Sequence, residues 1–334
     1  MTLHSLLPQG HLLAWRLAGA LVLVCGCSGV NTNPTQPDAP PDMALEIDAP
    51  TVLTVHHYVV DKQVIPLTNS QARDLGLDLD DDAVIDNQLG AVMATFAAQG
   101  FETQTPVDTA VDRGSILMLI DLGSNGFTNS EARFTLYSGA NPQPAPCTSG
   151  ADTICRHHLD GTGSFAVAAT SAHDTPLAGN LAAGVLVTNV DSSGRLQIQT
   201  TLLTTNPVTL NLIGARAKVT GLSDPGISNG VIAGAVTQTE VDGTLMPAWQ
   251  QAFDATVQQA CPGAPPSCGC AGGSQGQTMQ QLFDTTPKDC TISLAEVKNN
   301  SLIQSLVAPD VMIDGQQALS LGFGFTAVKA VFTP

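Results

Sequence analysis

The sequence predicts an α+β fold in which a predominantly antiparallel β domain carries about three helices, and three observations lead there. Short segments rich in β-branched residues alternate apolar with polar, the period of a half-buried strand. Turn-forming residues separate these segments, and only three stretches show helical periodicity, two of them near the C-terminal part. Strands are expected at 52–60, 116–122, 132–137, 164–170, 184–190, 195–202, 208–219 and 230–237. Asp191-Ser-Ser-Gly194, set between two apolar runs, predicts a hairpin turn.

Residues 86–99 place Leu89, Val92, Met93 and Phe96 on one helical face and stop at Gly100, a residue that suits a helix end. Residues 247–260 set Trp249, Phe253 and Val257 on one stripe. Ser293-Leu-Ala-Glu296 is a capping box, opening a helix expected to reach about Leu306. Residues 318–332 are apolar with interleaved glycines, which suits a buried or bulged strand where backbones approach closely. No internal boundary is visible, so 51–334 is expected to be a single β-rich folded domain.

Composition narrows the function classes. The 334 residues carry 29 acids against 12 bases, a net charge of −17, and so no positive field with which to hold phosphates. Nucleic acid is excluded as an expected partner. With 43% hydrophobic and only 12% charged residues, the chain has the composition of an ordered core.

The N-terminal segment reads as an address. Arg16 precedes the apolar run Leu17 to Val24, too short to span a bilayer, and the run ends on Val24-Cys25-Gly26-Cys27. This order resembles the lipobox of bacterial lipoproteins. The resemblance implies that residues 1–26 are a signal peptide and that Cys27 becomes the first mature residue, carrying palmitate-type acyl chains. Ser28 at the next position implies sorting to the outer membrane of a Gram-negative cell envelope. Residues 27–50 then form a lipidated, disordered stalk with five prolines from Pro34 to Pro50, reaching roughly 70 Å at about 3.1 Å per residue. The expected partners are a membrane, through the anchor, and an unidentified envelope or surface component.

Outside the leader stand Cys147, Cys155, Cys261, Cys268, Cys270 and Cys290. An even number in an exported chain predicts disulfides. Proximity favours Cys147 with Cys155. One glycine separates Cys268 from Cys270, so Cys261 is expected to join one of them and Cys290 the other. His157 and His158 beside Cys155 supply zinc-ligand types, but no spacing matches a usual zinc site.

One segment carries a chemical signal. In Asp78-Leu-Asp80-Asp-Asp82-Ala-Val-Ile-Asp86, carboxylates fall at positions 1, 3, 5 and 9 of a calcium loop, with the Val84 carbonyl at 7. The pattern resembles EF-hand loops and thrombospondin type 3 repeats. Ala83 replaces the glycine at position 6 and Leu89 the bidentate glutamate at 12, so the expected cofactor is weakly bound calcium, at about 10⁻⁴ to 10⁻³ M. The same residues also suit an exposed acidic turn with Asp86 capping the next helix, and the two roles are compatible.

No His-Glu-x-x-His, phosphate loop or Cys-x-x-Cys is present. Adjacent His56 and His57, expected on a strand, point to opposite faces. No catalytic residue is assigned. The sequence therefore favours a non-enzymatic, lipid-anchored envelope protein, a structural or interaction module with a weak calcium loop. The alternatives are a carrier of an apolar ligand in a β-lined cavity, or an envelope hydrolase without a recognised motif.

Overall fold

A computed structural model describes residues 52–333 apart from 192 and 205. The expected signal peptide, Cys27 and the stalk lie outside these residues. The described chain opens with β1 (Thr54–Val64), followed by α1 (Asn69–Asp74), α2 (Gln88–Ala98), α3 (Gln104–Asp112), β2 (Met118–Ser124) and β3 (Ser130–Gln143). Then come β4 (Ser164–Val167), β5 (Leu177–Ala182), β6 (Val185–Thr188), β7 (Arg195–Thr201), β8 (Pro207–Ser223) and β9 (Gly226–Thr237). A helical block follows: α4 (Gln238–Glu240), a π-helical turn, α5 (Met246–Ala260), α6 (Gln275–Phe283), α7 (Leu294–Asn299) and α8 (Ser301–Leu306). Last are β10 (Val311–Ile313), β11 (Gln316–Lys329) and β12 (Val331–Thr333).

The sheet is not open. Following the pairings from β1 through β2, β3, β5, β6, β8, β9 and β11 leads back to β1, every step antiparallel. Eight strands enclose a space about wide enough for side chains to fill. Register fixes which residues fill it: Tyr58 opposes Ile120, Leu122 opposes Phe134, and Leu186 opposes Val219. All six are at most 1% exposed. Each such side chain contributes about 1.5–3 kcal/mol by leaving water. The Tyr58 hydroxyl donates to the Ser223 carbonyl at 2.9 Å, so the one polar group on that ring is satisfied.

Side chains complete the ladder where strands run out. Strand β1 pairs with β11 only as far as Gly324. Beyond it, Asn87 accepts from the Gly322 N–H at 2.7 Å and donates to the Gly322 carbonyl at 3.0 Å, as a neighbouring strand would. Gln104 does the same at the end of β1, donating to the Gln63 carbonyl and accepting from the Ile65 N–H. Gly322 must be glycine, because a Cβ there would stand 2.2 Å from the Leu75 carbonyl oxygen. That is the close backbone approach expected of the glycine-interleaved last segment.

The structure corrects the expectation of about three helices. Helices α1, α3 and α6 are short and polar, too brief to establish a periodicity. The long helix expected from Ser293 is broken at Asn300, whose extended backbone ends α7 while its side chain caps α8 through the N–H groups of Leu302 and Ile303. The expected hairpin at 191–194 is also corrected. Strands β6 and β7 do not pair with each other; both lie along one edge of β8, opposite 218–220 and 207–213 respectively. The chain between them steps sideways where β8 itself is irregular, between Ile213 and Arg216. Among the described residues, no helix is long and apolar enough to cross a membrane.

Candidate functional site: an acidic hairpin on the barrel wall

The acidic segment forms a small hairpin between α1 and α2. Asp86 and Leu77 close it through an isolated antiparallel bridge. Alternation then sorts its side chains. Leu79 is buried, and Leu77 half-buried, against Ala233, Ala235, Val311, Ile313 and Ala318 on the outside of β9, β10 and β11. Asp78 and Asp80, one residue out of phase, face away from that patch. Arg216 on β8 pins the hairpin by donating to the Asp78 carbonyl.

One oxygen from each of Asp78, Asp80 and Asp86 lies within 4.8 Å of the others. Backbone N–H groups orient two of these carboxylates: Asp78 accepts from Asp81 at 2.7 Å and Ala83 at 3.0 Å, and Asp86 accepts from Leu79 at 2.7 Å. Asp82 is not in this group; its carboxylate accepts from the Val84 N–H, and Val84 itself is exposed. Ala83 adopts a left-handed φ of 68°, the backbone that glycine supplies at this position of a calcium loop. Burial pushes the Asp86 carboxyl up to about 6, against the pull of the Leu79 N–H; Asp80, Asp310 and Asp82 raise it further. Beside the hairpin a cleft of about 360 Å³ is lined by Arg73, Asp82, Asp86 and Asp310 among others. Oxygen-only ligands of concentrated negative charge are the chemistry of a hard divalent cation, so the residues present fit calcium.

Asp86 does not cap the following helix. That role falls to Asn87, which accepts from the Gly90 N–H at 3.0 Å and was not singled out from sequence. The only available signal was an Asn placed directly before an apolar-periodic run.

All six described cysteines are paired: Cys147 with Cys155, Cys261 with Cys270, and Cys268 with Cys290. The choice that spacing left open falls to Cys270 as partner of Cys261. Cys147 and Cys155 are thereby removed as thiolate ligands for zinc. Buried Asp284 organises the last bridge, accepting from the Asp289 and Cys290 N–H groups.

The histidines do not converge. His56 and His57 diverge as a strand requires: His56 sits 4.6 Å from the Phe127 ring, while His57 stacks on Phe332 at 3.9 Å. Burial lowers the His57 pKa and raises that of Asp121, so their 4.0 Å contact is between groups each shifted toward neutrality. His157 contacts Asp152 at 3.0 Å on the surface loop. His158 is fully buried with neither ring nitrogen hydrogen-bonded.

No protein-family model, curated protein or solved structure matches the chain.

Proposed function

We propose that this chain is a non-enzymatic, lipid-anchored module of the cell envelope, probing or bridging its surroundings from a stalk, with a calcium ion on its acidic hairpin. The observation that carries this reading is the pairing of all six described cysteines, which matches the oxidising compartment implied by the lipobox-like segment ending at Cys27. Two or more acyl chains on Cys27 make attachment stable, and the outer membrane is the destination that Ser28 implies. The hairpin then sits where calcium is millimolar, the range its three grouped carboxylates suit.

Metabolic labelling with a clickable palmitate analogue tests the anchor. Label is expected on the wild-type chain and absent from Cys27→Ala. An unlabelled wild-type chain, expressed in a bacterium that labels its other lipoproteins, contradicts the reading.

A further inference from the structure

An apolar pocket outside the barrel has no part in the anchored-module reading. It opens between the end of α2, α6 and α8 and encloses about 360 Å³. Phe96, Met279, Phe283 and Ile303 line it and are at most 7% exposed, while Leu282 and Leu302, also lining it, are 40% and 47% exposed. No charged side chain lines it; its polar groups are glutamines and threonines. Gln275 is held against the Gly100 carbonyl, whereas the Gln99 side chain, exposed at the pocket rim, makes no hydrogen bond to another described residue.

We propose that this pocket binds an uncharged, largely apolar small molecule carrying one hydrogen-bonding group. The proposal rests on neither the anchor nor the hairpin. Volume places the pocket within the range of small-molecule sites, which combine apolar walls with a few polar groups. Charge decides the class. An anionic lipid or fatty acid would find no cation in the lining and would face the field of a chain bearing −17. A cationic ligand would be desolvated without a carboxylate to meet it. A neutral body against the aromatic and aliphatic walls, with its polar group at the solvent-exposed rim beside the Gln99 side chain, buries no unpaired charge. Two exposed leucines at the pocket are also the apolar surface that such a ligand would cover.

The chain contains two tryptophans, Trp15 and Trp249, and the Trp249 ring lies 5.4 Å from Phe96. In a Trp15→Phe background, the oxidised full chain is titrated with the neutral dye N-phenyl-1-naphthylamine. Saturable one-to-one binding with energy transfer from Trp249 is expected. Leu282→Glu and Leu302→Glu, both at exposed positions, should each weaken it by about tenfold or more at unchanged melting temperature. The anionic dye anilinonaphthalene sulfonate should bind more weakly than the neutral one. The proposal is overturned by non-saturable binding, by equal affinity in both leucine variants, or by tighter binding of the anionic dye. Self-association that excludes the dye, seen in sedimentation, also overturns it by making a second copy the occupant.

Discussion

Asn87 uses its whole amide on four backbone groups: it accepts from Gly90 and Gly322 and donates to Ala72 and Gly322. It is thus a helix cap and a substitute strand at once. Asn87→Ala removes a cap worth about 1 kcal/mol and leaves buried edge groups of β11 unpartnered, so a loss of about 2–4 kcal/mol is expected. Urea unfolding should show a lower midpoint with an unchanged slope. His158 sets a pH dependence of a different kind. Burial, with Arg156 and His157 adding to it, holds the ring down to about 4, while Asp112 opposes the shift. Between about 6.5 and 4 the unfolded chain takes up a proton that the folded chain refuses. Stability is therefore lost as pH falls through that window, by about 3 kcal/mol. Asp86 acts oppositely: its raised pKa means that stability is lost as pH rises from about 4 to 6. The comparison that isolates the histidine is His158→Phe against wild type. The variant's melting temperature should fall less between pH 7.5 and 4.5, and an equal fall would contradict this account of the buried ring.

At the scale of elements, the alternate aspartates at 78 and 80 were legible as sharing one side of a tight turn, whereas the hairpin closed by Leu77 and Asp86 was not. Leu77 and Leu79 had to find apolar cover, and Asp78 and Asp80 had to share the other face. What sequence could not show is that the turn at Ala83 takes Asp82 out of the carboxylate group. This gives a discriminating test. Millimolar calcium should raise the melting temperature by roughly 1–4 °C beyond magnesium, the linkage expected of a site binding at 10⁻⁴ to 10⁻³ M. Asp80→Asn should abolish the rise and Asp82→Asn should leave most of it. A flat response in the wild type removes the ion. Helices with a continuous apolar face, α2 and α5, could be read from periodicity. Helix α3 (QTPVDTAVD) has too few apolar positions to register, although Val107, Ala110 and Val111 are all buried. The false hairpin at 191–194 has a physical lesson too. Turn chemistry says that the chain bends, whereas hydrogen-bond partners are set by the strand that both flanking segments share.

Over the whole molecule, most strands were visible, but β5 (Leu177–Ala182) and β10 (Val311–Ile313) were not, and neither was the closure. Alternation in 132–137 identifies a strand without revealing that Ser130–Phe134 pairs with Leu177–Leu181, the contact that shuts the ring. Such pairings join residues distant in sequence, and no local pattern encodes them. The cysteines were the exception, because short separations and a single intervening glycine limit which bridges can form. The proposed function depends on them, since under that reading the bridges and the calcium supply both require that the chain leave the reducing interior. Intact mass analysis of the native protein, alkylated without reduction, tests this directly. The account predicts a chain beginning at an acylated Cys27, with three bridges and no alkylated thiol. A native chain that retains Met1, carries no acyl group and alkylates at its cysteines would contradict it.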